Sequence, residues 1–334
     1  MMGLRIVKTG FSMSLQDAGR RGYRSQGVPL SGAADMDAYR MANLLCGNRA
    51  GVPAAEITLH GGVMVAELSL CLAHVGGGSR LHVNGTLVPK GRLVRVDAGS
   101  LLSFVPDRLG CRSYLSVVGG FRARMDLGSG STYAPAGLGG LSGRYLCSGD
   151  LLEPMDACPS ASARLREGFS EGINGWGAAR WGLVTPVLSE GGQYRLRILP
   201  GPEWGLFPAS VRDLMLGGVY RVTKDADRMG LRLSGPSLAG GMGGEMLSGA
   251  VCPGTVQVTQ GGLPMLLLAD AQTVGGYLRV ANVFSADLPV CGQLRPGDEL
   301  VFVMGGMAEA EVAHRERERR FRYWTSALGL RFEG

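Results

Sequence analysis

The sequence predicts a mainly β protein of two domains with a few short helices, and three observations carry that reading. Short runs of apolar and β-branched residues recur along the whole chain, and glycine or proline closes most of them. Glycine accounts for 55 of 334 residues, about twice its ~7% background, and follows no Gly-X-Y period. It therefore marks tight turns and close backbone approaches. A composition that is 45% apolar and 19% charged is sufficient for packed cores. A helical bundle, a collagen and a disordered chain are all excluded.

Taken in order, the predicted strands are Leu4–Thr9, Val63–Leu68, Leu70–Val75, Arg92–Val96, Leu101–Val105, Ser113–Val118, Arg195–Leu199, Val219–Thr223, Thr255–Thr259, Leu278–Phe284 and Leu300–Val303. Two helices are expected. The first follows Ser31, whose hydroxyl can cap the opening turn; Asp35 and Asp37 lie near the positive end of its dipole, and Gly47 stops it. Ala38, Met41, Ala42 and Leu45 would form its apolar face, with Tyr39, Arg40 and Asn43 opposite. The second is a charged helix over 307–334, where arginines interleave with glutamates at three- and four-residue spacing and read as a salt-bridged, solvated surface. Strand periodicity lapses near 159–193, which predicts a connector between a domain at 1–158 and another at 194–306. A faint echo between Ala98–Val105 and Pro296–Val303 permits a duplicated barrel.

The net charge of +6 is no nucleic-acid footprint, because only Lys8, Lys90 and Lys224 are lysine and the arginines are scattered among acids. Seven cysteines with no CxxC pair disfavour a zinc site or a disulfide framework, so no metal site is expected and a reduced, cytoplasmic setting fits. Lys8 and Gly10 interrupt the place where a signal peptide would be apolar, and Leu263–Ala269 is too short to span a bilayer. No P-loop, dinucleotide fingerprint, HExxH or GxSxG occurs, and His60, His74, His82 and His314 stand isolated.

Three stretches concentrate polar groups. Gln16 to Asp35 crowds Asp17, Arg20, Ser31 and Asp35 into a loop ending at a helix N-terminus. It reads either as an anion site or as a buried loop in which Asp17 and Arg20 pair with each other. Asp227 to Leu233, as a strand, would put Met229, Leu231 and Leu233 on one face and Arg228 and Arg232 on the other, with Gly230 leaving space between them. That suits a carboxylate or phosphate, and equally a solvated edge. The run Met265–Ala269 ends abruptly in Asp270, Gln272 and Thr273 and then Gly275, Gly276 and Tyr277, following a strand that contains Gln257. It reads as a site at the rim of a core or as a polar-capped rim.

Together these stretches resemble one family, that of the C-type subunit of 5-oxoprolinase, also called allophanate hydrolase subunit 2 or the biotin-dependent carboxyltransferase-like family. The resemblance rests on Gln16–Asp35, Ala42–Asn48, Glu56–Gly62, Arg112–Phe121, Leu199–Pro202, Asp227–Leu233, Gly254–Val258 and Asp270–Tyr277 in the family's order, and covers about residues 3 to 305. It implies a pair of cyclophilin-like β-barrel domains and an ATP-dependent lactam hydrolase that opens 5-oxo-L-proline to glutamate. Two partner chains would take part, one of B type, homologous to this chain, and one of A type. ATP, with Mg2+, would be shared with those partners. The same resemblance implies two alternatives: the carboxyltransferase part of a biotin-dependent urea carboxylase, with biotin carried on another chain, or a regulatory component that works by pairing with the B-type partner.

On this resemblance Asp270, Gln257 and Gln272 are the catalytic candidates. Asp17, Arg20, Ser31, Asp35, Arg40, Asn43, Arg228, Arg232, Thr273, Gly275, Gly276 and Tyr277 are the candidates for binding substrate or phosphate. The chain departs from the family at Gly62, Thr259, Ala271 and Val274, where proline, proline, arginine and threonine are usual. A substitution at Asp270 is expected to abolish turnover and spare the fold.

Overall fold

A computed structural model describes residues 2–155, 169, 174–184, 193–240 and 247–333, with side chains to residue 329. It is mostly β, as the turn-punctuated apolar runs predict, and each predicted strand forms within a residue or two of its predicted ends. The contact pattern groups the chain into two compact units. The first comprises Met1–Arg20, Asp35–Pro186 and Phe321–Gly334, the second Arg21–Ala34 and Val187–Arg320. The polar stretch Gln16–Asp35 is thus divided between them.

The first unit holds two six-stranded sheets. One runs Leu151–Leu152, Leu4–Lys8, Val63–Ala66, Leu101–Pro106, Ser79–Val83, Thr86–Leu87; the other Trp176–Ala178, Leu93–Val96, Leu70–Gly76, Arg112–Val117, Ala54–Thr58, Ser12–Gln16. Alternate residues of both sheets face one core: Leu4, Ile6, Met64, Leu81 and Leu102 from the first, Leu15, Ile57, Leu72, Val94 and Leu115 from the second. Ser12–Gln16, not among the predicted strands, is an edge strand paired to Ala54–Thr58. Trp176–Ala178, inside the predicted connector, pairs with Leu93–Val96; most of the remaining connector lies outside the described residues.

The first helix spans Met36–Leu45. Asp35 caps it in place of Ser31, its carboxylate accepting from the amides of Asp37 and Ala38 at 3.0 and 2.9 Å. Ser31 stands several residues too early and adopts a left-handed backbone, φ 52°. The helix is also buried more widely than its pattern predicts. Tyr39 and Asn43, assigned to the polar face, are only 2% and 4% exposed.

The second unit is a closed seven-stranded barrel in the order Gln193–Pro200, Leu278–Val283, Thr255–Val258, Pro264–Leu267, Gly230–Ser234, Tyr220–Val222, Glu299–Met304. The parallel pairing of Gln193–Pro200 with Glu299–Met304 closes it. Tyr194, Leu196, Ile198, Leu231, Leu233, Val256, Leu266, Leu300 and Phe302 fill the interior, the period-2 alternation that a barrel of this size requires. The charged helix runs Met307–Glu333, longer than the short helices expected elsewhere. Among the described residues no helix is long and apolar enough to cross a membrane, and no disulfide joins two described cysteines.

Candidate functional site

Two buried polar centres emerge, one in each unit. In the first unit, the strand Ser12–Gln16 delivers Asp17 to a turn where its carboxylate is 3% exposed and accepts from four groups. These are the Gly19 amide at 2.8 Å, the Ser129 hydroxyl at 2.7 Å, the Gly130 amide at 2.6 Å and the Ser131 hydroxyl at 2.5 Å. Arg20 is fully buried and donates to the carbonyl oxygens of Asp126 and Ser131 at 2.9 and 2.8 Å.

Asn43 accepts from Asn48 Nδ2 and the Ser116 hydroxyl, both at 2.8 Å, and ties the helix Met36–Leu45 to the sheet behind it. Arg40 lays its guanidinium over the Phe321 ring at 3.7 Å. The Asp35 amide donates to the Tyr114 hydroxyl at 2.8 Å, which in turn donates to Glu56 at 2.7 Å. Arg112 lies 3.6 Å from Glu56, so an ion pair and a tyrosine sit inside the sheet. Burial, reinforced by the Glu56 charge, holds the Tyr114 hydroxyl well above its ordinary pKa and keeps it protonated. Sequence reasoning missed Glu56 and Arg112 as a unit; the signal was charged residues inside apolar strand runs.

In the second unit Arg228 and Asp270 form a bidentate ion pair, Nε and Nη2 donating to the two carboxylate oxygens at 2.8 and 3.0 Å, with both side chains 7% exposed. Arg228 Nη2 also donates to the Gly32 carbonyl at 2.7 Å, and the Ser31 amide donates to the Ala269 carbonyl at 3.0 Å. The ion pair therefore pins the loop carrying Ser31 and Gly32. Asp270 occupies a turn, closed by the Ala271 amide on the Leu268 carbonyl, so it and Gln272 do not alternate along an extended strand; Gln272 is only half-buried.

The strand that starts at Gly230 buries Leu231 and Leu233 and leaves Arg232 exposed, while Met229, placed on the apolar face by the sequence pattern, precedes the strand and is exposed. Arg232 thus does not join Arg228. A Cβ on Gly230 would stand 3.0 Å from the Leu266 carbonyl oxygen, so the neighbouring strand fills the gap read as ligand space.

Gln257 is fully buried; its Nε2 donates to the Tyr277 carbonyl at 3.2 Å, and its Oε1 has no hydrogen-bond partner among the described residues. A Cβ on Gly275 would come within 2.7 Å of Gln257 Nε2, so a larger residue there would push the Gln257 amide aside. Gly275 pairs with Gly249 and Val274 with Ala250 in a two-stranded ladder, extended by the Val251 amide on the Thr273 carbonyl at 3.1 Å. Beside this ladder lies a cleft of about 590 Å³ lined by Arg24, Ser25, Gly27, Ala250, Val251, Cys252, Thr273 and Val274. Gly276 and Tyr277 follow the ladder in sequence and are exposed. The second unit therefore gathers Ser31, Arg228, Gln257, Asp270, Thr273 and Gly275. Arg24 was not singled out from sequence, because a lone arginine in a glycine-rich loop carries no pattern.

Comparison with known proteins agrees with this architecture. The family described as carboxyltransferase domain, subdomain A and B, matches residues 26–304. The C-type subunit of the Escherichia coli K12 5-oxoprolinase is 35% identical over 318 residues, covering 95% of this chain and 96% of that protein. The urea amidolyase of Saccharomyces cerevisiae is 31% identical over 314 residues, covering 90% of this chain and 16% of the enzyme. Among solved structures, the Kluyveromyces lactis urea carboxylase superposes with a TM-score of 0.85 at 28% identity, over 97% of this chain and 29% of that one.

Proposed function

The chain belongs to the carboxyltransferase domain family, subdomains A and B, and from that premise we propose that it works as the C-type subunit of an ATP-dependent 5-oxoprolinase. One observation carries the reading: the match to the Escherichia coli C-type subunit runs through 96% of that protein, at 35% identity. The substrate on this reading is a five-membered lactam bearing a carboxylate. Water adds to the carbonyl carbon, the ring C–N bond breaks, the nitrogen takes up a proton, and glutamate results.

An amide carbonyl is a weak electrophile, so groups that hold it and favour charge on its oxygen are what a protein supplies. Within the second unit the buried Gln257 amide is fixed through its Nε2 on the Tyr277 carbonyl, so on this reading it positions the chain around Gly275 and Tyr277 and does not itself meet substrate. On this reading the Arg228–Asp270 pair positions the Ser31–Gly32 loop, with Arg228 donating to both carboxylate oxygens and to the Gly32 carbonyl.

The described residues fit a nucleoside triphosphate poorly. Arg20 faces carbonyl oxygens, Arg228 faces Asp270, and no cluster of three His, Cys, Asp or Glu side chains able to hold a metal ion occurs among the described residues. On this reading, then, ATP is handled with the A-type and B-type partners.

The likeness to the urea carboxylase structure favours a second reading, carboxyl transfer from biotin borne on another chain to an amide nitrogen. A complex assembled from this chain and its purified A-type and B-type partners decides between the two. The expected result is ADP release that depends on 5-oxo-L-proline. An assembled complex that releases none overturns the leading reading, and urea-dependent consumption of carboxybiotin would establish the second. Assembly with the B-type partner but turnover of neither substrate would leave a regulatory role.

A further inference from the structure

Arg24 opens a single turn of 3-10 helix, Arg24–Gln26, that ends at Gly27 with φ 82°. This turn belongs to the second unit, and Arg24 Nη2 donates to the Val251 carbonyl across the cleft. Its Nη1 is buried and has no hydrogen-bond partner among the described residues, and no carboxylate there lies within ion-pair distance of Arg24. A guanidinium nitrogen without an acceptor is costly where it stands, and a side chain that is only half-buried gains by turning it to an oxygen of a ligand in the cleft. Arg228 and Arg20, both strongly buried, have oxygens around them, Asp270 for the first and backbone carbonyls for the second.

The cleft around Arg24 gives that cation a purpose. Among the described residues its lining includes no acidic side chain, and Arg24 supplies the one formal charge there. Ala250, Val251 and Val274 provide apolar walls, and about 590 Å³ falls in the ~300–1,000 Å³ range of small-molecule sites. One guanidinium with one edge already committed matches a single negative charge better than a phosphate, which attracts several cations. Apolar walls beside that charge suit ring methylenes.

We infer that Arg24 is the carboxylate anchor of this cleft and that the cleft takes a small cyclic amide carrying one carboxylate. The identity of that amide rests on the 5-oxoprolinase reading; the anchor itself does not. Arg24 is a binding and specificity residue here, separate from Gln257 and from the Arg228–Asp270 pair.

Cys252 lines the same cleft and is exposed, which gives a readout independent of turnover. The experiment measures alkylation of the full chain by iodoacetamide with peptide mass spectrometry, using exposed Cys147 as internal control. At ten times the dissociation constant, 5-oxo-L-proline is expected to slow Cys252 labelling about tenfold and leave Cys147 unchanged. The carboxylate-free lactam 2-pyrrolidinone and inorganic phosphate should protect far less.

Arg24→Ala should raise the 5-oxo-L-proline concentration needed for protection by about tenfold or more, and Arg24→Lys should recover part of the loss. Circular dichroism checks that each variant is folded; should Arg24→Ala not fold, Arg24→Gln takes its place in the same measurement. Equal protection by 2-pyrrolidinone, stronger protection by phosphate, no protection in the wild type, or full protection in the folded Ala or Gln variant overturns the proposal. Protection without turnover in the assembled complex would leave the anchor standing and remove the 5-oxoprolinase reading; turnover without protection would do the reverse.

Discussion

Asp17 and Asp270 are both buried carboxylates nominated by the same family pattern, yet the two units satisfy them in opposite ways. Asp17 is surrounded by four neutral donors, two amides and two hydroxyls, drawn from its own turn and from Ser129–Ser131. Asp270 has one cationic partner that takes both oxygens. The neutral cradle spreads the cost of desolvation over many dipoles and fixes a loop crossing. The ion pair concentrates it in a single contact, whose loss strands a whole charge. Around Asp17 the structure reads as internal scaffolding. Unmatched buried atoms occur in both units, Gln16 Oε1 next to Asp17 in sequence and Gln257 Oε1 and Arg24 Nη1 in the unit that holds Asp270, but of these residues only Arg24 lines the cleft beside the Gly249–Ala250 ladder.

The strongest way to break this contrast is to remove one charge. Asp270→Ala should lower unfolding free energy by about 3–5 kcal/mol, since a buried guanidinium is left unpaired. This replaces the expectation that the fold would be spared. Replacing both partners, Arg228→Met with Asp270→Leu, should be milder than the sum of the singles, because no charge is stranded. Urea denaturation measures the double variant and its two singles, Arg228→Met and Asp270→Leu, and additive losses would show that the pair is not coupled.

Asp17→Asn tests the neutral cradle. An amide accepts through one oxygen only and turns its NH2 toward donors, so about 2–3 kcal/mol should be lost by the same measurement. A loss matching that of Asp270→Ala would erase the distinction between the two centres.

The first unit also buries a neutral imidazole. Burial, with the Lys90 charge adding to it, lowers the His74 pKa to about 3. Its folded pKa lies below its unfolded one, so the unfolded chain binds the proton first. Stability is complete above the ordinary histidine pKa and falls as pH drops from there toward the depressed value. At pH 5 the loss from this group is about 2 kcal/mol. His74→Gln should flatten the midpoint of unfolding between pH 7 and 5 relative to wild type, and parallel curves would remove His74 from the acid response.

Much of this was legible in the chain itself. Predicted strands such as Leu70–Val75 and Ser113–Val118 formed nearly where apolar runs between glycines placed them, because burial on a pleated surface writes a local period. Arg228, Asp270, Gln257 and Gly275 came together in one unit, since a rim of polar residues after an apolar strand is also a local signal. What stayed hidden is non-local. Ser129 and Ser131 reach Asp17 across more than a hundred residues, and Glu56, Arg112 and Tyr114 meet only through strand register. Ser12–Gln16 was missed because polar residues flank its two apolar ones, Met13 and Leu15, and the backbone partner of Gln16, the Thr132 carbonyl, is more than a hundred residues away.

The smallest effect tests whether the cleft is held from behind. Arg279 makes a bidentate pair with Glu203, at 2.9 and 2.6 Å, and passes its remaining nitrogen to the Ala250 carbonyl at 2.7 Å. The Arg279 hydrogen bonds hold the Glu203 carboxyl below its usual range. The pair's contribution is therefore present above the ordinary carboxylate pKa and lost as pH falls through the depressed one. Because the pair is partly hydrated, Glu203→Gln should cost only about 1 kcal/mol globally. Its local effect should be larger: Arg279 would no longer be aligned under Ala250, and the ladder of Gly249–Ala250 with Val274–Gly275 would open more often. Hydrogen exchange at the Val251 amide, which donates to the Thr273 carbonyl, reads that opening directly. Faster exchange there, with amides of the barrel strand Glu299–Met304 unchanged, is the expected outcome. Uniform acceleration across the barrel would mean that the pair stabilises the unit as a whole and does not brace the cleft.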